Sequence, residues 1–238
     1  MNVAVFRPDD ERLAEAVALL ESLGATPVPD PMLAVEPTGA APRSDADFTL
    51  LTSKTGVELA ASEGWAPGDT VLCAIGEATA EACRDAGWTV DRVPEEYTSS
   101  GLVAALSEDV AGARVEVARS DHGSAELTDG LNDAGAFVHE TVLYELVRPA
   151  GAGESAELAA DGDLDAALFS SSLTVEHWLD AAREHGIEAA ARDGLRSAVI
   201  GCIGPPTRET AESHGIDVDV VPKDADFEQL ARAAVEER

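Results

Sequence analysis

The run Ala198-Val-Ile-Gly-Cys-Ile-Gly-Pro-Pro-Thr-Arg-Glu-Thr-Ala-Glu-Ser-His-Gly215 has a twin in Val71 to Gly87, and the rest of the chain is organised around the pair. Each copy reads as a short apolar strand, a glycine at the strand exit (Gly204, Gly76), a threonine three residues later (Thr207, Thr79), an Ala-rich helix and a glycine stop (Gly215, Gly87). Such a unit aims the bare N–H groups of a helix start, plus one hydroxyl, at whatever lies above the sheet. That setting suits an anion.

Similar units flank the pair. Asn2 to Phe6 alternates as a strand and ends at Arg7-Pro8, and Leu13, Ala16, Val17, Leu20 and Leu23 recur at helical spacing up to Gly24. Pro27, Pro29, Pro31 and Pro37 then mark a linker or edge strand. Phe48 to Leu51 is a strand exiting into Thr52-Ser53-Lys54, and Thr89 to Val93 is a strand before Pro94. Thr98 caps a helix through Leu102 and Leu106. Arg114 to Ala118 is a strand ending at Arg119-Ser120; a helix through Leu127 and Leu131 follows, then a long extended run, Ala136 to Val147, carrying Tyr144. Ala166 to Phe169 exits into Ser170-Ser171-Ser172 and a helix through Val175 and Trp178. Ile216 to Val221 is a strand, and Phe227 to Val235 a final helix.

These pieces repeat in shifted order. Asp47 to Ser53 matches Asp165 to Ser171, the Gly76 unit matches the Gly204 unit, and Val3 to Arg7 matches Val115 to Arg119. One domain is therefore expected from both chain ends, residues 1–29 and 150–238, with a second at 37–141 and linkers at 30–36 and 142–149. Strands alternating with helices predict parallel sheets covered on both faces. In such sheets ligands bind at the carboxyl strand ends, so the site is expected in the cleft between the domains.

Composition narrows the function. The 238 residues carry 46 acidic against 16 basic side chains, a formal charge of -30 that disfavours nucleic acid and anionic membranes as partners. Acid spread along an apolar periodicity in a Lys-poor, Ala-rich chain is the pattern of proteins from salt-loving archaea. With no apolar run of spanning length and no signal-peptide pattern at Met1 to Pro8, a soluble, cytoplasmic protein is expected. Cys73, Cys83 and Cys202 have no close spacing and the five histidines are scattered, so no disulfide framework and no metal is expected.

Each motif has an ordinary reading beside the functional one. Thr52-Ser53 and Ser170-Ser171 stand at helix starts, where capping is the commonest role. Gly76 and Gly204 could serve only as backbone relief at turns. Arg7 and Arg119 fall in strand-exit loops, for local charge balance or for binding an anion. Tyr144 lies on a predicted linker with a hydroxyl able to donate a proton, although a linker tyrosine more often packs. No serine nucleophile constellation, dinucleotide fingerprint or Walker loop occurs.

Over nearly its whole length the chain resembles uroporphyrinogen-III synthase. The resemblance rests on Val3 to Arg7, Leu51-Thr52-Ser53 with Val57, Ala74-Ile75-Gly76 with Thr79, Glu140 to Tyr144 with Val147, Leu168 to Ser171, and Val199 to Pro205 with Thr207; Pro206 departs from the pattern. It implies two similar flavodoxin-like α/β domains with parallel sheets joined by a two-stranded extended hinge. It also implies a cofactor-free closure of the linear tetrapyrrole hydroxymethylbilane, with loss of water and inversion of ring D; a monomer is expected. By position, Tyr144 matches the family's hinge tyrosine, a proposed general acid, and Thr52, Ser53, Gly76, Thr79, Ser170, Ser171, Gly204 and Thr207 match cleft-lining positions; Arg7 and Arg119 are added as binding candidates. The alternative is a non-catalytic two-domain protein that binds or senses a small anion.

Overall fold

Four-residue apolar runs that end in a hydroxyl, glycine or arginine recur as the strands of two parallel sheets. The computed structural model describes residues 1–237. Its first half contains β1 (Asn2–Val5), α1 (Glu11–Ser22), β2 (Thr26–Pro29), β3 (Ala34–Pro37), β4 (Phe48–Leu51), α2 (Lys54–Ser62), β5 (Val71–Ala74), α3 (Glu77–Asp85) and α4 (Ser99–Leu106). Then come β6 (Arg114–Ser120), α5 (Ala125–Asp133), β7 (Phe137–Val147), α6 (Glu154–Asp161), β8 (Ala166–Phe169), α7 (Ser172–Glu184), α8 (Glu188–Leu195), β9 (Val199–Cys202), α9 (Pro205–Ser213) and α10 (Phe227–Glu236). Two compact units result, Met1–Ala34 with Val147–Arg238, and Val35–Leu146. The first holds a sheet of order β2-β1-β8-β9; the second sheet has order β3-β7-β6-β4-β5. The proline-bearing strands β2 and β3 are edges, where a missing N–H costs no ladder bond. Among the described residues no helix is long and apolar enough to cross a membrane.

The sequence repeat extends to register. Val3 pairs with Ala166 on one side and Pro27 on the other, as Val115 pairs with Phe48 and Val138. Val199 beside Ala166 corresponds to Val71 beside Phe48. The match reaches single hydrogen bonds. Leu72 N–H donates to Asp91 Oδ2 and Ile200 N–H to Asp219 Oδ2, both at 2.8 Å, while the Asp91 and Asp219 N–H groups donate back to the Leu72 and Ile200 carbonyls, both at 2.9 Å. These aspartates explain a departure from expectation. Residues 89–93 and 216–221 do not form strands; each makes one bridge, Arg92 to Cys73 and Val220 to Gly201, because a carboxylate takes the N–H that a strand carbonyl would otherwise accept.

Apolar side chains cover both faces of each sheet. In the first unit one face carries Phe6, Phe169 and Trp178; the phenylalanine rings stack at 4.6 Å and Trp178 meets Phe169 edge-on at 6.3 Å. The other face carries Val3, Val5, Leu13, Leu20 and Leu230. In the second unit Leu50, Val117, Leu127 and Leu131 pack on one face, and Leu51, Val57, Leu72 and Leu143 on the other.

Sequence periodicity did not reveal α6 and α8. Their buried residues are mostly small, Ser155, Ala156 and Ala159 in α6 and Ala191 beside Leu195 in α8, and a Cβ on Gly194 would stand 1.8 Å from the Ala159 carbonyl oxygen, so glycine lets one helix approach the other's backbone. Asp30, only 3% exposed, starts α6 from a distance by accepting the N–H groups of Gly153 and Ser155, each at 2.9 Å. Its carboxylate supplies the negative charge that a helix N-terminus favours. Asp30→Ala is expected to cost roughly 2–4 kcal/mol, since it strands two buried N–H groups; a urea titration showing less than about 1 kcal/mol would contradict this role.

Candidate active site

At the carboxyl ends of three neighbouring strands in each unit lie the residues singled out by sequence. In the first unit these are Arg7 after β1, Ser170 and Ser171 after β8, and Gly204 with Thr207 after β9; in the second, Arg119 in β6, Thr52 and Ser53 after β4, and Gly76 with Thr79 after β5. Hydrogen bonds continue past the strands and hold the loops side by side, with the Ile203 N–H donating to Phe169 O at 3.0 Å and the Ile75 N–H to Leu51 O at 3.1 Å. At about 4.8 Å between strands, each trio spans roughly 10 Å.

The hydroxyls divide by role. Ser53 caps α2, accepting from Gly56 N–H at 3.0 Å, and Ser171 caps α7, accepting from Thr174 N–H at 3.3 Å in a reciprocal capping box. The Thr52, Ser170, Thr79 and Thr207 side chains make no hydrogen bond among the described residues, although Thr79 and Thr207 are only 5% and 4% exposed. Ser53 also accepts from the hydroxyl of Tyr144 at 3.0 Å. Tyr144 is buried at the far end of β7, so two residues proposed separately from sequence meet here.

Gly76 and Gly204 are not relieving a strained turn. Their φ values of -168° and -171° are extended backbone open to any residue. At Gly76 a Cβ would come within 3.1 Å of the Tyr97 ring, a packing partner the sequence did not announce. At Gly204 an added Cβ would meet only Pro206 Cδ, at 4.0 Å, so neither conformation nor internal packing requires glycine there. The α9 start is also poorer in donors than its twin. Pro205 and Pro206 occupy its first two positions and carry no N–H, whereas α3 begins with Glu77, Ala78 and Thr79.

Arg7 and Arg119, equivalent in the repeat, differ in environment. Arg119 is 5% exposed; one terminal nitrogen donates to Ser124 O at 2.6 Å and the other to Glu140 at 2.5 Å. Among the described residues Arg7 has no ion pair, whereas every other arginine has one. It lies over the Phe227 ring, 4.4 Å from the centroid; its Nε is buried without a hydrogen-bond partner, as is the Nε of Arg119. Burial lowers its pKa below the ordinary arginine value, with Arg12 adding to the effect. The guanidinium stays charged at neutral pH.

Other groups are chemically quiet. Burial pushes the Cys73 and Cys202 thiols up to about 12 and Cys83 to about 11, so none is a ready thiolate. Among the described residues no group of three or more His, Cys, Asp or Glu could hold a metal. The raised Cys73 value has a stability consequence. The unfolded thiol ionises from about pH 8.5 upward while the folded one stays protonated, so its contribution is complete below that pH and is lost as pH rises toward 12. Between pH 8 and pH 10 this thiol alone accounts for a loss of about 1–2 kcal/mol, so in urea unfolding at the two pH values Cys73→Ala should lose that much less stability than the parent chain, Cys83 and Cys202 keeping their own shares. A cavity of about 390 Å³ beside the opposite, amino ends of β6 and β7 is lined by Arg43, Asp45, Arg114, Glu116, Phe137 and His139, none of them among the predicted residues.

A parallel sheet whose carboxyl strand ends present hydroxyls, helix starts and an unpaired arginine defines the class of open α/β proteins that take their ligand at that edge. Residues 14–232 match the family uroporphyrinogen-III synthase HemD, and the chain belongs to that family. A candidate uroporphyrinogen-III synthase of Methanothermobacter thermautotrophicus is 33% identical over 230 residues, covering 90% of each chain. The uroporphyrinogen-III synthase of Synechococcus elongatus is 29% identical over 212 residues, 82% of this chain and 80% of its own. Among solved structures, a mutant uroporphyrinogen III synthase from Thermus thermophilus aligns over 100% of both chains with a TM-score of 0.70 at 20% identity. The Helicobacter pylori enzyme covers 100% of this chain and 99% of its own, with a TM-score of 0.64 at 14% identity; both likenesses establish the fold.

Proposed function

We propose that this chain is a uroporphyrinogen-III synthase, a lyase of tetrapyrrole biosynthesis that closes hydroxymethylbilane with loss of water and inversion of ring D. The family match over residues 14–232 carries the reading. The chemistry suits the side chains. Once the hydroxyl departs, the electrophile closes unaided to the wrong isomer, so the protein's main work is to hold one geometry. That needs many anchors and few reactive groups. Eight substrate carboxylates are matched by hydroxyls and helix-start N–H groups at the strand exits of each unit. We assign Tyr144 as the acid for the departing hydroxyl, and Thr52, Thr79, Ser170, Thr207 and the bare backbone at Gly76 and Gly204 to the substrate carboxylates.

We read the two units as flavodoxin-like domains, 1–29 with 150–238 and 37–141, joined by linkers at 30–36 and 142–149. The support in the first unit is the strand order, since counting β1, β2, β8, β9 and the Val220 bridge as one to five gives 2-1-3-4-5; in the second unit β4, β5, the Arg92 bridge, β6 and β7 give 5-4-1-2-3, the same arrangement with the chain ends moved. We read the acidic composition as adaptation to concentrated salt, as in proteins of salt-loving archaea.

Of the two equivalent arginines, Arg7 is the one we assign to a substrate carboxylate, because Arg119 has its terminal nitrogens committed to Ser124 and Glu140. Arg7→Ala should raise KM by about tenfold or more with a small change in kcat, whereas Arg119→Ala should chiefly lower stability, leaving Glu140 unpaired. The reverse pattern would reassign the pair. Supplying hydroxymethylbilane and separating the oxidised products tests the function itself. Type III isomer formed faster than spontaneous closure supports it; type I alone, at the spontaneous rate, refutes it, and saturable binding without turnover would instead identify an anion-binding protein.

A further inference from the structure

The register of β7 against β6 runs straight from Arg114 with Phe137 to Arg119 with Val142, then shifts so that Ser120 pairs with Tyr144 and Leu143 is left over. In an unbroken strand Leu143 and Tyr144 would face opposite sides of the sheet. Here they are buried in the same apolar cluster, with Leu51 and Val57, because the bulge turns the strand between them. The bulge thus brings the Tyr144 hydroxyl to 3.0 Å from Ser53 Oγ, across 91 residues of sequence.

Ser53 itself is held from the other side. Its Oγ accepts the Gly56 N–H at the start of α2, and a Cβ on Gly56 would lie 3.1 Å from that oxygen and 3.3 Å from Leu143 Cδ1. The bulge, the cap and a glycine three residues into the helix converge on one oxygen. In the other unit the equivalent Ser171 is followed three residues later by Thr174, whose hydroxyl donates to the Ser171 carbonyl at 2.7 Å and accepts from the Ser171 N–H at 3.2 Å. The box closes on itself and receives no tyrosine.

We propose that Ser53 is a positioning residue for Tyr144, linking the phenol oxygen to the N-terminus of α2 through the step in which the proton leaves. This rests on the reading of the chain as a synthase with Tyr144 as the acid. The Tyr144 O–H bond breaks and its proton joins the departing hydroxyl oxygen, which leaves as water with the electron pair of the C–O bond; a substrate pyrrole nitrogen supplies electrons to the carbon left behind. Ser53 rotates its own O–H to donate to the phenolate while Gly56 N–H still donates to Ser53 Oγ, so developing charge is met by the positive end of a helix. Inversion requires ring D to attack the carbon left behind through its substituted α-carbon, which has no proton to lose. The bond from this α-carbon to its old bridge methylene then breaks, the methylene is taken up by the free α-carbon of the same ring, and the proton lost there restores the phenol.

The test is a double-variant cycle on the full chain, read as kcat, KM and product isomer. Ser53→Ala should lower kcat by about 10- to 100-fold with KM changed less than about threefold, and Ser53→Thr, which keeps the hydroxyl, should recover most of the loss. Combined with Tyr144→Phe, Ser53→Ala should cost little more, because the serine acts only through the phenol. Thr98→Ala removes an equivalent cap, from Gly101 N–H on α4, and measures what cap loss alone does. Full kcat in Ser53→Ala, a loss no larger than that of Thr98→Ala, or strict additivity with Tyr144→Phe overturns the proposal. If Ser53→Ala fails to fold, Ser53→Thr and Gly56→Ala decide, with retained kcat in the first and reduced kcat in the second expected and the opposite pattern fatal. Full turnover in Tyr144→Phe would remove the acid role itself, and absence of type III product from the parent chain would remove the synthase reading, so the three failures are distinct.

Discussion

Tyr144→Phe is expected to lower kcat for formation of the type III isomer by about 10²- to 10³-fold while leaving KM within a few-fold. The substitution deletes one oxygen from a side chain that is 7% exposed and packed in the second unit's apolar cluster. Folding should survive. Ser53 keeps its bond from Gly56 N–H, so the lost Tyr144 bond costs on the order of 1 kcal/mol. What disappears is the proton donor. Departure of the hydroxyl then relies on solvent, and the slower enzymatic route competes with spontaneous closure, so the type I share of product should rise. Separation of the oxidised isomers after a single turnover measures both effects, and unchanged rate with unchanged isomer ratio would show that Tyr144 only packs.

Transfer from molar salt to about 0.1 M salt should lower the melting temperature by on the order of 10 °C or more. Two effects oppose each other. Screening weakens ion pairs as salt rises, but most pairs here join half-exposed side chains, such as Arg43 with Asp45 and Arg232 with Glu228, and such pairs contribute little. Screening also weakens repulsion among the surplus carboxylates behind the formal charge of -30. The repulsion is long-ranged at a Debye length of about 10 Å and nearly gone at about 3 Å, so it dominates. Melting curves in potassium chloride, with choline chloride as a second salt, would measure the effect; a melting temperature flat from 0.1 to about 3 M would refute the argument.

The elements that carry the site were legible because their signals are local. An apolar run of four, a glycine or hydroxyl at its end and a glycine stop lie within twenty residues, and the same offsets link Val71 to Asp91 and Thr98 as link Val199 to Asp219 and Asp226. Helices α6 and α8 were not legible, since they bury mainly alanines, with Leu195 the one buried leucine between them instead of a leucine stripe, and alanine is uninformative about which face is inside. The strands expected at 89–93 and 216–221 failed for a different reason. Their apolar alternation is present, but Asp91 and Asp219 take the pairing groups with a side chain. Two prolines at the start of α9 were visible in the run that announced the site, and their missing donors are a plain reading of the sequence.

By sequence alone, this protein was determined to be a twice-repeated strand–glycine–helix chain, acidic throughout, with polar strand exits and a family resemblance resting on those exits. Helical and strand periods are short-range, and a repeat compares one stretch of chain with another; neither needs a partner. Only the tertiary structure decided that Arg119 is committed to Glu140 while its equivalent Arg7 lies unpaired over Phe227, and that Tyr144 reaches Ser53. The reason is register. A one-residue bulge moves a side chain to the other face of a sheet, and it leaves no mark in the amino-acid sequence short enough to be read locally.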